Sequence, residues 1–365
     1  MTTLMQASNQ WVSRPNDERF TSLVNLHAHV GMQRERSRGA VVSSRKLEVR
    51  PAQTDEMKGL EVFGPNGHGY APTHWSFGQL ATLAGAPAGY LRTLPAPIAA
   101  DALNYGFRFA RDVQEVGVLL RRDTSDELVA ATGPRYGRVW NHEITGQLVN
   151  RFGDGVTGDW RVPGEFGKAV QVTKANTTLY ASDRDMFVFL ADETNRLEMP
   201  NRRNGRPGSL ARGFFVWNSE VGSTTFGIAM FLFDYVCANR IVWGAEGYKE
   251  VKLRHTATAP DRFIEEVVPV IADYSSSSPK PIEETLKAAQ AAKVDDLGDF
   301  LRNRRFASGT IKKIADAFEA DEDRPVESLW DVATAITAHA RSINFQDERV
   351  ALEREAGKVL DLIAV

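Results

Sequence analysis

Three segments of the sequence combine cationic and aromatic side chains, the combination that holds single-stranded nucleic acid. Lysine and arginine neutralise phosphates, and each base that stacks on an aromatic face adds roughly 1–3 kcal/mol of binding free energy. The first segment is a glycine-rich turn, the second a loop that leads into a strand, and the third follows an apolar run. Their candidate residues are Arg135, Tyr136, Arg138 and Trp140; then Lys174, Arg202, Arg203, Arg206 and Arg212; then Arg240, Lys249, Lys252 and Arg254.

A structural interpretation of the same residues stays open. Tyrosine and tryptophan beside a strand are commonly part of a core, and arginine stems commonly cover apolar surface. The sequence does not decide whether the three segments share one face of the protein. The nucleic-acid hypothesis depends on that point.

Residues suited to covalent or metal chemistry are sparse. The sequence has no phosphate-binding glycine loop and no nucleophile elbow, and its one cysteine, Cys237, lies inside an apolar run. His27, His29, His68 and His74 could in principle hold a metal, but all four lie in sequence typical of loops. We therefore predict a protein that is not an enzyme, with no catalytic residues, no metal and no cofactor, unless acids distant in sequence converge.

The elements that must position these candidates centre on the longest apolar, aromatic and β-branched run, residues 212–244. Residues 214–218 and 224–228 have the composition of two strands, and Gly222 in the intervening turn permits a positive φ. The pattern predicts a hairpin at the centre of a sheet. Residues 229–237 fit a helix or a strand, because short apolar runs do not reveal their period.

This stretch resembles the phage/plasmid-like protein family known as domain of unknown function 932. The resemblance rests on the Asn-Ser-Glu-Val-Gly block at 218–222 and the Val-Cys-Ala-Asn-Arg-Ile-Val-Trp block at 236–243. Weaker matches at 133–141 and 329–337 extend it to roughly residues 40–360. The resemblance implies carriage on phages and mobile elements, with a distant likeness to phage single-strand annealing proteins, and it implies no defined activity.

Local patterns along the chain predict an α+β fold with an antiparallel sheet body. Helical signals between residues 73 and 110 indicate an insertion; Thr73 or Ser76 can cap a helix that Gly85 ends. The spacing there fits a helix-turn-helix, but Tyr90, Arg92 and Thr93 would make poor base contacts, which favours an ordinary helical hairpin. A hairpin over 116–131, a helix over 142–152 and strands at 169–173 and 185–190 complete the body.

Composition divides the chain into four parts. Residues 1–40 are expected to form a flexible basic arm, residues 41–273 the body, residues 274–281 a Ser/Pro linker that cannot pack, and residues 282–365 a helical section. Residues 201–208 are expected to form an exposed loop. Apolar stripes at helical spacing in the last part predict packing on the body or on another subunit.

Charge is uneven along the chain. The net charge is −3, but residues 261–365 hold 14 Lys and Arg against 21 Asp and Glu, a balance of −7 that leaves +4 for the rest. No apolar run approaches about 18 residues, and the start of the chain lacks an export pattern. We expect no membrane span and a cytoplasmic location, which would be a bacterial cytoplasm if a phage encodes the protein.

The leading functional hypothesis is a phage or mobile-element protein that binds single-stranded DNA, as an annealing, recombination or replication accessory protein. Such a protein would be expected to form a homo-oligomer, because a ring or filament presents a strand continuously. The alternative is a regulator or anti-defence protein that binds a host or phage protein through its acidic helical section. A nucleic-acid enzyme is a further alternative, and a bound metal would favour it.

Overall fold

The computed structural model describes residues 14–52, 59–110, 112–122, 125–163, 171–202, 206–234, 239–241, 243, 250–343 and 346–363. Helices and sheets of mainly antiparallel strands within these residues give the α+β fold that the sequence predicts. The helices are α1 (Leu23–Arg36), α2 (His74–Ala84), α3 (Ala88–Leu91), α4 (Ala96–Tyr105), α5 (Asn141–Phe152), α6 (Ala259–Arg262), α7 (Val268–Ser276), α8 (Lys280–Ala291), α9 (Leu297–Asn303), α10 (Ser308–Glu322), α11 (Leu329–Arg341) and α12 (Gln346–Leu360). The strands are β1 (Arg19–Phe20), β2 (Ser37–Ser43), β3 (Glu48–Pro51), β4 (Leu60–Phe63), β5 (Gly69–Pro72), β6 (Glu115–Arg122), β7 (Asp126–Thr132), β8 (Trp160–Arg161), β9 (Leu179–Ala181), β10 (Met186–Asp192), β11 (Leu197–Arg202), β12 (Arg206–Asn218), β13 (Phe226–Asp234), β14 (Asn239–Ile241) and β15 (Val251–Leu253).

The larger sheet is built around the hairpin of β12 and β13. Its strand order is β1-β9-β10-β12-β13-β14, and β8, β11 and β15 add to β10, β12 and β13. In the hairpin, Trp217 lies opposite Gly227 and Leu210 lies opposite Asp234. The predicted central hairpin is thus confirmed, and residues 229–234 continue as strand.

The two faces of this sheet bury different sets of side chains. On one face, alternate strand residues such as Phe214 and Ile228 pack against α1, α5 and α7. The other face is aromatic, because Phe215, Trp217 and Phe231 lie there with Phe187 and Phe189. A Cβ placed on Gly227 would come within 2.0 Å of the Trp217 ring, so the ring lies directly across the glycine backbone.

The smaller sheet has the order β2-β6-β7-β5-β4-β3, with β5 parallel to β7 and the other pairs antiparallel. Helices α2, α3 and α4 cover one face and bury Leu80, Leu91 and Leu103. Thr73 caps the amino end of α2, where its side chain accepts a hydrogen bond from the Ser76 amide, and Gly85 follows the last helical residue with φ of 72°. The predicted helical insertion is confirmed, with its start and stop signals.

The helical carboxy-terminal section packs on the larger sheet. Phe318, Trp330 and Ile336 from α10 and α11 are buried with Leu210 and Leu232 from the β12–β13 hairpin. Helix α11 begins with a capping box between Ser328 and Asp331. The predicted apolar stripes are therefore used inside one chain.

Several predictions about irregular segments are wrong. Residues 23–40 of the predicted flexible arm lie in α1 and the first part of β2, because Leu23, Leu26 and Val30 make a buried face. The predicted linker is mostly helical, and the buried Tyr274 donates a hydrogen bond to the Gly213 carbonyl at 3.3 Å. Both segments are polar in composition, which suggested irregular structure, but a few apolar residues at helical spacing suffice to anchor a helix.

Two further predictions concern the sheet. The predicted loop 201–208 is occupied by the end of β11 and the start of β12, whose residues Arg202 and Arg206 pair, while residues 203–205 lie outside the described range. The predicted strand 169–173 is wrong at residues 171–173, which are irregular; residues 169 and 170 are outside the described range.

Candidate nucleic-acid interface

The turn between β12 and β13, residues 218–223, is the structural centre of the candidate site. Gly222 has φ of 84°, which a side chain would strain. The buried Asn218 donates from Nδ2 to the Val139 carbonyl and to Asn141 Oδ1, both at 2.8 Å. The Ser219 hydroxyl donates to the Arg184 carbonyl at 2.6 Å. Side-chain hydrogen bonds thus hold the turn from two sides.

Residues 133–141 dock along this turn. The Tyr136 hydroxyl donates to the Ser219 carbonyl at 2.8 Å, and Arg138 Nε donates to the Glu220 carbonyl at 2.6 Å. The Asn141 amide donates to Glu220 Oε1 at 2.8 Å. The segments at 133–141 and 218–222, which are about 80 residues apart in sequence, therefore form one hydrogen-bonded unit.

Glu220 is a buried carboxylate within this unit. Its Oε2 lies 3.9 Å from the guanidinium of Arg121, which is also buried. Burial raises the pKa of Glu220, whereas the Asn141 amide and the guanidinium groups of Arg121 and Arg138 act to lower it. The carboxylate holds the turn, and its burial leaves it no route to a ligand.

Aromatic and guanidinium groups form a continuous stack beside the turn. The Arg34 guanidinium lies 4.0 Å from the Trp140 ring centroid, and that of Arg138 lies 5.4 Å from the centroids of both Trp140 and Tyr136. The Tyr136 and His255 rings stack at 4.8 Å. Because these faces are occupied, Tyr136 and Trp140 are poor platforms for a nucleic-acid base.

His255 ends the stack as a neutral side chain. Its Nδ1 lies 3.1 Å from the Gly137 carbonyl, to which it donates in the neutral tautomer, and its buried Nε2 has no hydrogen-bond partner among the described residues. Burial is the main cause that lowers the pKa of His255 to about 4; the Arg138 guanidinium acts in the same direction, and the Gly137 hydrogen bond opposes both.

An open cleft of about 490 Å³ lies on the other side of the turn. Among the residues that the structure describes, its charged lining consists of Arg92 and Arg184 and includes no carboxylate. Trp75 Nε1 and Gln79 Nε2 donate to the Val221 carbonyl at 3.0 and 2.7 Å, so the cleft wall is tied to the turn. The remaining lining residues are His74, Gly78, Thr82 and Ala131.

Positive potential in the cleft has two sources. The guanidinium groups carry full charges, and Arg92 is held across the first turn of α2 by a 2.9 Å hydrogen bond to the His74 carbonyl. The amino end of α2 adds the positive end of a helix dipole, because His74 and Trp75 are its first residues. An anion is the ligand that such a lining favours.

Of the predicted cations, Arg135 and Arg254 lie in segments beside the β12–β13 turn, whereas Lys174 contacts Asn16. Arg135 and Arg254 are both exposed, and their segments touch, since the Gly137 amide donates to the His255 carbonyl at 3.1 Å. Lys252 is exposed but pairs with Glu250 at 2.9 Å. Lys174 is exposed and donates to the Asn16 carbonyl at 2.7 Å.

Other predicted cations lie elsewhere. The backbones of Arg202, Arg206 and Arg240 are at the end of the larger sheet remote from the turn, since β12 runs from Arg206 to Asn218, roughly 40 Å at about 3.3 Å per residue. Arg203 and Lys249 lie outside the described residues. The three predicted segments therefore do not form one surface.

The prediction that Arg212 binds nucleic acid is wrong. Its side chain is 3% exposed, and its NH2 group lies 3.1 Å from Asp192 Oδ2. Its NH1 group donates to the Ser277 carbonyl at 2.7 Å. Successive side chains of β12 point to opposite faces of the sheet, and both faces are buried, so a cation on this strand needs a partner inside the protein.

Sequence reasoning missed the cleft itself. Arg92 was dismissed as a base-reading contact of a helix-turn-helix, and Trp75 and Gln79 gave no signal. Arg184 was not among the predicted nucleic-acid-binding residues. These residues come from α2, the end of α3 and the β9–β10 connection, and only the tertiary structure joins them.

In the described part of the chain, no group of three or more His, Cys, Asp or Glu side chains is placed so that it could hold a metal ion. The four candidate histidines are dispersed. His27 stacks on His142 at 4.4 Å, His29 lies 3.0 Å from Gln33, and His68 pairs with Asp126.

Comparisons with known proteins found no family model, no curated protein and no solved structure that matches the chain. The resemblance described above therefore remains a prediction. Over the described residues, no helix is long and apolar enough to cross a membrane.

Proposed function

We propose that this protein binds single-stranded DNA in the cleft lined by Trp75, Arg92 and Arg184. The observation that carries the proposal is the charge of the lining, whose described residues supply two guanidinium groups, an indole and no carboxylate. Guanidinium groups neutralise phosphates, and an indole offers a stacking surface to any base. A bound DNA strand that leaves the cleft and crosses the β12–β13 turn would pass towards Arg135 and Arg254.

The dimensions of the cleft suit a nucleotide unit of an open strand. Its volume of about 490 Å³ lies within the range of roughly 300–1,000 Å³ that is usual for small-molecule sites. A base reaches the Trp75 indole only if it is unpaired, because the bases of a duplex stack on one another. Preference for the single strand follows from that geometry.

The wider biological role rests on the sequence resemblance. It favours a phage or mobile-element protein that acts in annealing, recombination or replication within a bacterial cytoplasm, as an oligomer without catalytic activity. Sequence-independent binding through phosphates and stacking would suit each of these roles.

The test is fluorescence anisotropy of a labelled single-stranded oligonucleotide and of a matched duplex, titrated at several salt concentrations. We expect tighter binding of the single strand, with a log-linear loss of affinity as salt rises. An Arg92→Ala/Arg184→Ala variant should bind more weakly and have a salt slope shallower by about 1.4, since each lost phosphate contact removes roughly 0.7.

Lys312→Ala is the matched control. Lys312 is an exposed cation on α10, in the helical section rather than at the cleft, so its removal should leave affinity and salt slope unchanged. An equal effect of both variants would attribute binding to diffuse charge and would contradict the cleft. Absence of binding at low salt would favour the alternative, a regulator that recognises a protein partner.

A further inference from the structure

An exposed apolar stripe runs along α4 and the π-helical turn that continues it, Gly106–Ala110. Ile98, Tyr105 and Phe109 are 53%, 63% and 72% exposed, and the Tyr105 and Phe109 rings lie 5.5 Å apart. The opposite side of the same helix buries Leu103 and Phe107 in the core. The stripe is therefore an outward apolar face at helical spacing, of the kind that marks an interaction site.

Close packing holds this face in place. A Cβ on Gly106 would lie 2.3 Å from the Ala84 carbonyl oxygen at the end of α2, so the two backbones touch and only glycine fits. Asn104 exchanges hydrogen bonds with the backbone of Val49, both at 2.8 Å. The stripe belongs to a fixed element and is presented as a preformed surface.

The charges beside the stripe indicate what covers it. Asp101 and Arg108 are both exposed and lie seven residues apart, about two helical turns, on one flank of the apolar residues. In an antiparallel pair of α4 helices related by a two-fold axis, Asp101 of each copy faces Arg108 of the other. An acid near one end and a base near the other make the face complementary to itself.

We propose that the protein self-associates through this face, with the α4 helices of two copies antiparallel and the Tyr105 and Phe109 rings packed between them. The two Asp101–Arg108 pairs fix the direction of the helices. A contact built on one helix is at the small end of specific interfaces, below about 1,200 Å² in total, so dissociation in the micromolar range is expected. This proposal is independent of the proposed DNA binding.

The test is sedimentation velocity of the full chain without nucleic acid, over a wide concentration range. The wild type should pass from monomer to dimer. Asp101→Arg or Arg108→Asp alone places like charges together twice in each dimer and should raise the dissociation constant by about tenfold or more. The double variant Asp101→Arg/Arg108→Asp should restore the wild-type constant, which mere damage to the fold cannot do.

A second exposed acid–base pair, Asp299 and Arg302 on α9, provides the matched control. Reversing that pair should leave self-association unchanged. A wild type that stays monomeric at about 100 μM, or a dimer indifferent to the Asp101 and Arg108 reversals, would overturn the proposal. So would a Phe109→Ser variant that weakens oligonucleotide binding while self-association is unchanged, because the stripe would then be a base-stacking platform.

Discussion

Acidification from pH 7 to pH 5 should destabilise the protein through His255. In the folded state its pKa is lowered to about 4 from an ordinary value of 6.5. A proton added to the ring would sit on the buried Nε2, for which the described part of the chain offers no acceptor, close to the Arg138 guanidinium. The unfolded chain accepts that proton freely, so falling pH favours unfolding.

The size of the effect follows from the two pKa values. His255 is neutral in both states above pH 6.5, and its contribution to stability is fully present there. As pH falls towards 4 the unfolded state binds more protons, and the free energy of unfolding decreases by about 2 kcal/mol at pH 5 and about 3 kcal/mol at pH 4.

The matched variant is His255→Asn, whose side-chain amide can still donate to the Gly137 carbonyl but does not titrate. Loss of the ring stacked on Tyr136 should cost about 1 kcal/mol at every pH. Urea denaturation of both proteins at pH 7 and pH 5 measures the free energies of unfolding. We expect the wild type to lose about 2 kcal/mol more than the variant, because all other titrating groups are shared.

Equal losses in the two proteins would refute this reasoning. They would mean that the His255 ring reaches water when protonated, or that its unpartnered nitrogen is not enclosed. A larger loss in the variant would have the same meaning, since removal of a group with a lowered pKa can only reduce the pH dependence.

Three stability predictions complete the set, and thermal and urea unfolding check them. Glu220→Ala should cost about 3–5 kcal/mol, because it leaves the buried Arg121 without its carboxylate; Glu220→Gln, which keeps an acceptor for the backbone, should cost less. Gly222→Ala should cost about 1–2 kcal/mol through its φ of 84°. Arg212→Ala should cost about 3–5 kcal/mol, since it leaves the buried Asp192 without its cationic partner. A cost below about 1 kcal/mol would contradict the buried pair.

Much of the fold was readable from local patterns. Thr73 and Gly85 marked the two ends of α2, and the composition around Gly222 predicted the β12–β13 hairpin. These signals are short in range, because caps and turns depend on a few neighbouring residues. The helical stripes of the carboxy-terminal section were visible for the same reason.

Polar composition gave wrong predictions for segments whose structure depends on a few residues. Residues 23–36 were expected to be irregular, yet Leu23, Leu26 and Val30 anchor α1 against the larger sheet. Arg212 was expected in a loop that leads into a strand, yet it lies on the central strand β12 and pairs with Asp192. Whether a charged side chain on a strand faces water or a partner depends on how that strand pairs with its neighbours in the sheet. The sequence alone does not give this pairing.

Local sequence patterns were enough to predict the α+β class, the central hairpin and the helical insertion, and to single out residue types that suit nucleic-acid binding. Tertiary structure alone decided that the segments at 133–141 and 218–222 form one unit, that Tyr136 and Trp140 have their faces occupied, and that Arg92 and Arg184 meet at a cleft. Local structure follows from neighbours along the chain, whereas a site is assembled from contacts between residues that are distant along it.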